Sequence, residues 1–238
     1  MTTSTETSPV CAIVGVGPGN GAAFGRRFAA AGYRVALLSR SLGVSEELAR
    51  ALPGARAFAC DVTRAASVEQ SFASIREELG PVDTVIYNAG SGVWGSVEEL
   101  SPEDFETAWR VNTLGAVLVT KQVILDMRRA GRGNFALVGA TASRRGRPKT
   151  AAFAAAKAAQ RSLAESMARE YWPLGIHVFL LIVDGVIDLP RTRSSFPQKS
   201  DEFFIKPDDV AELTYGVTEQ RRSAWSFEVE ARPFSEVW

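Results

Sequence analysis

Gly15-Val16-Gly17-Pro18-Gly19-Asn20-Gly21 separates an apolar run at residues 10–14 from a helix-compatible stretch at 21–31. An apolar run without alternation suits a strand covered on both faces. Glycines allow the tight turn from that strand into the helix. They also leave backbone N–H groups free at the helix start, where negative charge is favoured. The alternative is a strand-to-helix turn that holds no ligand. The rest of the chain must decide between the two.

Outward from this turn the same unit repeats. Apolar runs at 10–14, 33–39, 55–61, 84–87, 134–138, 177–183 and 225–230 alternate with helical stretches at 21–31, 45–51, 65–79, 102–108, 111–129, 150–171 and 207–218. Ser101-Pro102-Glu103-Asp104 is a helix start, with a capping hydroxyl, proline in the first turn and acids behind it. Alternating strands and helices with right-handed crossovers predict an α/β fold. It is a Rossmann-type doubly wound, mainly parallel seven-stranded sheet with helices on both faces. No repeat, linker or domain boundary interrupts it, so residues 10–238 read as one domain behind a disordered polar tail at 1–9. Residues 184–206, rich in Pro, Ser and Arg, show no clear pattern. They follow the sixth strand, where such a sheet opens to ligand, and read as a mobile lid whose Leu189, Phe196, Phe203 and Phe204 close on an apolar substrate.

The bulk numbers exclude several classes. The 238 residues are 46% hydrophobic and 23% charged, enough for one substantial core. Formal charge is zero and the pI is near 6.6, so no basic field draws nucleic acid or an anionic membrane surface. The first residues carry neither the cationic nor the apolar region of a secretory signal, and no apolar stretch is long enough to span a bilayer. Cys11 and Cys60 fall in strands expected to flank the second strand, roughly 10 Å apart and beyond disulfide reach. Reduced thiols in a cytoplasmic protein are the expectation, with no metal site.

Gly15, Gly19 and Gly21 are spaced G-x-x-x-G-x-G, which resembles the short-chain dehydrogenase/reductase family. Further marks follow in the family's order across about residues 10 to 230. They are Cys60-Asp61-Val62, Asn88-Ala89-Gly90, Asn112 in Arg110-Val111-Asn112-Thr113, Lys157, and Pro207-Asp208-Asp209-Val210-Ala211. The resemblance implies that Gly15, Gly19, Asn20 and Gly21 hold a dinucleotide pyrophosphate. It implies that Asp61 and Val62 meet the adenine, that Asn88, Ala89 and Gly90 shape the adenine-ribose side, and that Lys157 bonds the nicotinamide ribose. Gly185 and Val186 then stand on the nicotinamide side. It also implies a homodimer or homotetramer joined through the helices at 111–129 and 150–171, an isologous contact. The second strand ends Leu38-Ser39-Arg40-Ser41. An acid there would accept from a ribose 2′-OH, whereas a cation suits the 2′-phosphate. Ser39 and Arg40 therefore favour NADP(H) over NAD(H), the alternative being a solvated surface arginine.

The reacting positions depart from the family. Phe153, in Ala151-Ala152-Phe153-Ala154-Ala155-Ala156-Lys157, stands where the family has its catalytic tyrosine. Ala140, thirteen residues earlier, stands where it has its serine. A phenyl ring has no exchangeable proton. Asn112 and Lys157 remain as candidate catalytic residues. Thr141, Ser143, Lys157 and Asp184 are candidate replacement donors, with capping, ribose binding and turn chemistry as the other readings. The family's Pro-Gly-x-Val-x-Thr appears as Asp184-Gly185-Val186-Ile187-Asp188-Leu189, without the carboxamide-binding threonine. Arg144-Arg145-Gly146-Arg147-Pro148-Lys149 either draws an anionic or acyl-carrier-linked substrate or is a solvated loop. Trp94, Phe135 and Phe153 are expected to line an apolar substrate cavity, and His177 is expected to be structural.

The leading expectation is an atypical NADP(H)-dependent oxidoreductase acting on an apolar small molecule that needs little protonation help, such as an imine, an enone or an activated carbonyl. The alternatives are a non-redox cofactor-binding protein, or a lyase, isomerase or cyclase on the same scaffold.

Overall fold

The computed structural model describes residues 8–235. The chain runs β1 (Val10–Val14), α1 (Asn20–Ala30), β2 (Arg34–Ser39), α2 (Gly43–Ala51), β3 (Ala55–Ala59), α3 (Ala65–Glu78) and β4 (Thr84–Tyr87). It continues through α4 (Pro102–Trp109), α5 (Gly115–Ala130), β5 (Gly133–Ala140), α6 (Ala151–Tyr171) and β6 (Ile176–Val183). The last part holds β7 (Val186–Ile187), α7 (Pro190–Ser195), β8 (Phe204–Ile205), α8 (Pro207–Thr218) and β9 (Glu228–Ala231). Seven strands form one sheet in the order β3-β2-β1-β4-β5-β6-β9, and every pairing is parallel.

The unbroken apolar runs follow from this double covering. Successive side chains of a strand face opposite ways. On β1, Val10, Ala12 and Val14 enter one core while Cys11 and Ile13 enter the other. The first core is closed by Val68, Phe72 and Ile75 of α3, Val119 and Val123 of α5, and Met167 of α6. The second is closed by Phe24 and Phe28 of α1 and by Val210 and Val217 of α8. Each large side chain withdrawn from water here contributes about 1.5–3 kcal/mol.

The α4 start forms as expected. Ser101 Oγ accepts from the Asp104 N–H at 3.3 Å, and the Asp104 carboxylate accepts from the Ser101 N–H at 3.0 Å. Between α4 and α5 lies a π turn, Arg110–Leu114, which widens the helix at Asn112. Buried Tyr87 at the end of β4 donates to the Val111 carbonyl of that turn at 2.6 Å, and only glycine fits at 115 beside the phenol.

Several expectations change. Residues 1–7 of the expected tail lie outside the described residues, but Ser8 and Pro9 belong to the domain. Their carbonyls accept from the Arg34 guanidinium and the Arg34 N–H. The last strand begins at Glu228 rather than 225, because Trp225 stacks on His177 with ring centroids 4.7 Å apart. Residues 184–206 are not patternless. β7 and β8 pair, and Arg193 ties the segment together through Asp188 (2.5 and 2.8 Å), Asp201 (2.6 Å) and the Phe204 ring. Phe135 does not line a cavity, because its strand parity turns it into the α3–α5–α6 core. His177 is structural as expected, with Nε2 bonded to the Ser226 carbonyl and burial holding its pKa down. Cys11 and Cys60 are free and buried, and burial pushes both thiols up.

Candidate cofactor and reaction site

The strand order reverses between β1 and β4, and ligands of doubly wound sheets bind at the carboxyl ends of strands at such a point. A cavity of about 640 Å³ lies there. It is lined by residues 15–21, 39–41, 60–63 and 88–91, with Thr107, Val111, Ile187, Leu189 and Arg191. The glycine turn is shaped for this place. Gly15 has φ +97°, and a Cβ on it would lie 2.5 Å from Ala89. One on Gly21 would lie 2.7 Å from the Gly15 carbonyl. Asn88 Nδ2 donates to that same carbonyl at 2.7 Å and locks the β4 end to the turn. The first turn of α1 holds no acidic residue and no side-chain cap; the Ala22 and Ala23 N–H groups bond the Gly17 and Gly19 carbonyls, and those of Asn20 and Gly21 remain for an anion.

At the β2–β3 end of the cavity, Ser39 Oγ bonds the Ser41 carbonyl (2.9 Å) and Ser45 Oγ (2.8 Å), fixing the turn that carries exposed Arg40. Asp61 loses some hydration, which favours its neutral form. Hydrogen bonds from Thr63 Oγ1 (2.7 Å) and the Thr63 N–H, with the charges of Arg40 and Arg64, outweigh this and hold it below the usual carboxylate range. Val62 and Cys60 supply the apolar wall beside it.

The candidate reacting residues Asn112 and Lys157 lie just behind Gly90 and Ser91. A Cβ on Gly90 would sit 3.3 Å from Asn112 Oδ1 and 3.9 Å from Lys157 Nζ. Asn112 Nδ2 donates to the Ala108 carbonyl at 2.8 Å and to the Ser91 carbonyl at 3.3 Å. Lys157 is buried, with Nζ bonded to the Val138 carbonyl (2.8 Å) and Gln160 Oε1 (3.0 Å). Burial without a counter-charge brings it down to about 7. Phe153, half-buried one turn before Lys157, has its ring 5.9 Å from Nζ and 4.9 Å from the Trp94 ring.

Three buried polar atoms at this cleft have no partner: Asn20 Oδ1, Ser91 Oγ and Asn112 Oδ1. Unsatisfied buried groups cost about 1–3 kcal/mol each. Their gathering at one cleft, beside open helix N–H groups and two exposed arginines, fits a ligand with hydroxyls and phosphates. The residues present therefore fit a dinucleotide.

Other candidates are engaged elsewhere. Ser143 Oγ accepts from the Ala140 N–H at 3.1 Å, and Thr141 donates to Asp184. Asp184 is not an acid facing the cleft, because it is buried and also paired with Arg145 and Arg232. Most of the basic run 144–149 is neutralised likewise. Arg144 pairs with Glu228 and Glu230, Arg145 with Asp184 and Lys149 with Glu99. Gly185 packs on Ile205 and Pro233, and Val186 pairs with Phe204. The wall expected from them is built one to five residues after Val186, by Ile187, Leu189 and Arg191. Sequence reading missed Arg191 as a site residue, because only the folding of 184–206 back over the glycine turn brings it there. Leu189 makes that contact, 3.1 Å from where a Gly19 Cβ would be.

A glycine turn at the reversal point of a parallel, doubly covered sheet defines the Rossmann-type class. The chain belongs to the short-chain dehydrogenase family, whose profile matches residues 9–200. It is 29% identical over 182 residues to the 3-oxoacyl-[acyl-carrier-protein] reductase MabA of Mycobacterium bovis, covering 76% of this chain and 70% of that protein. It is 34% identical over 173 residues to the inactive 2-(S)-hydroxypropyl-CoM dehydrogenase 2 of Xanthobacter autotrophicus, covering 72% and 75%. The alcohol dehydrogenase of Thermococcus sibiricus, solved with 5-hydroxy-NADP, superposes with TM-score 0.87 at 29% identity, covering 97% of this chain and 98% of that one.

Proposed function

We propose that this chain is an atypical NADP(H)-dependent oxidoreductase of its family, acting on an apolar small molecule that needs little proton assistance. Imines, enones and activated carbonyls are such substrates. The observation that carries this reading is the pairing of an intact cofactor cleft with Phe153 and Ala140 at the reacting positions. The bound nicotinamide supplies or accepts the hydride. The glycine turn and the α1 N-terminus hold the pyrophosphate, Asp61 meets the adenine, Arg40 the 2′-phosphate and Lys157 the nicotinamide ribose. The relative at 29% identity solved with 5-hydroxy-NADP supports the cofactor assignment. Trp94 and Phe153 offer an apolar rim to the substrate. General acid catalysis typically supplies about 10²–10⁴-fold, so loss of the phenol slows ketone reduction while leaving hydride positioning intact.

The test follows NADPH absorbance with panels of imines, enones, aldehydes and ketones. Turnover of imines or enones well above simple ketones is expected, with a Lys157-dependent rate that falls as pH rises through about 7. Robust ketone turnover unaffected by substitution of Thr141, Ser143 and Lys157 would overturn the reading. Tight NADPH binding with no absorbance loss across the panels would point to the second reading, a non-redox cofactor-binding protein. One of the relatives is itself named inactive, which supports that second reading.

A homodimer or homotetramer through α5 and α6 belongs to the same proposal. Leu125 on α5 is 56% exposed, an apolar side chain suited to a partner. A monomer mass by light scattering at micromolar concentration would contradict it. No helix among the described residues is long and apolar enough to cross a membrane, and none of their His, Cys, Asp and Glu side chains cluster as a metal site.

A further inference from the structure

Gln160 lies one turn after Lys157 on α6, fully buried, with both ends of its amide engaged. Its Oε1 accepts from Lys157 Nζ at 3.0 Å, and its Nε2 donates to the Asn112 carbonyl of the π turn at 2.8 Å. The amide has only one workable orientation. Reversed, it would set NH₂ against an amine and a carbonyl oxygen against another carbonyl. Thr113 Oγ1 donates to the Ala156 carbonyl at 2.9 Å, so the π turn and α6 are stitched on both sides of Lys157.

We infer that Gln160 is the positioning residue of Lys157: braced on the Asn112 carbonyl, it fixes the direction of the Lys157 amine with a neutral acceptor and leaves that amine free to change charge state. The Lys157 neighbours are Val138 on β5, Gly90 after β4, Asn112 in the π turn, and Phe153 and Gln160 on α6. None of them is titratable. Two of the three Nζ hydrogens are taken by Val138 and Gln160, and the third remains for a ligand beside Gly90. A carboxylate at 160 would pin the lysine as a cation, and an apolar residue would release it. The glutamine does neither. This inference rests on the reading of Lys157 as a cofactor contact.

The test is the pH dependence of NADPH affinity, by fluorescence titration from pH 5.5 to 9.5. The proteins compared are wild type, Gln160→Glu, Gln160→Met and Lys157→Met. Lys157→Met keeps the titration of the ligand's own phosphate, with a pKa of about 6, and removes that of the lysine. Wild-type affinity should weaken about threefold to tenfold as pH rises through about 7. Gln160→Glu should move this midpoint up by about one pH unit or more, and Gln160→Met should move it down by a similar amount. Thermal melts identify any variant that does not fold, and either folded variant suffices. A wild-type midpoint in the folded variants, with the step absent in Lys157→Met, overturns the role of Gln160 and leaves Lys157 as a cofactor contact. A Lys157→Met profile identical to wild type in affinity and shape overturns the underlying reading itself.

Discussion

Ala140→Ser combined with Phe153→Tyr is expected to raise NADPH-dependent reduction of simple ketones by about 10²–10⁴-fold over the wild-type protein. The ring at 153 is already placed, half-buried, 4.9 Å from Trp94 and 5.9 Å from Lys157 Nζ. A tyrosine keeps that volume and adds a phenol near a cation, which favours its ionised form and suits it to proton exchange near neutral pH. Ala140 ends β5 and is not fully buried, so a serine hydroxyl fits without displacing core. Phe153→Tyr alone should give most of the gain. Ala140→Ser alone should give little, because a hydroxyl that holds the substrate oxygen does not replace a missing acid. Groups that act as a unit do not add. A double variant that binds NADPH normally yet remains at the wild-type ketone rate would show that substrate does not react between residues 140 and 153.

The sheet was legible because strands buried on both faces cannot alternate, and runs such as 177–183 have few other uses. The glycine turn was legible for a similar reason. Gly15 and Gly21 sit where a Cβ would strike backbone, so their identity is a geometric demand rather than a preference. Residues 184–206 were opaque because β7 and β8 are two residues each, too short for any period, and their order comes from Arg193 reaching two separate carboxylates. Phe135 was misplaced although parity was available. It faces the same way as Leu137 and opposite to Ala136 and Val138, which puts it in the helical core. The commitments of Asp184 to Thr141, Arg145 and Arg232 depend on contacts 39 to 48 residues apart, which no local pattern records. Gln160 left a fainter trace. A polar residue three positions after Lys157, on the same helix face, was a signal that side chains at that spacing meet.

Arg40→Asp is expected to weaken NADPH binding by about 100-fold while changing NADH binding by about threefold or less. Hydrogen bonds to a charged group contribute about 1.5–3 kcal/mol, equivalent to roughly 10- to 150-fold in affinity. An introduced carboxylate adds repulsion of the 2′-phosphate and can accept from a 2′-hydroxyl instead. The presenting turn should survive, because Ser39, Ser41 and Ser45 hold it through atoms that do not involve the Arg40 side chain. Arg40 is exposed and lies within 4 Å of no carboxylate among the described residues, so its removal strands no buried partner. One secondary effect is built in. The Arg40 charge helps hold Asp61 ionised, and a new acid at 40 pushes Asp61 up. On the proposed placement of Asp61 beside the adenine, this loss falls on both cofactors alike, and the NADH titration of Arg40→Gln measures the part that comes from losing the arginine charge. Parallel titrations of NADPH and NADH against the three proteins separate the contributions. If NADPH and NADH weaken equally in Arg40→Asp, the arginine acts through the turn or through Asp61, and the 2′-phosphate is not its ligand.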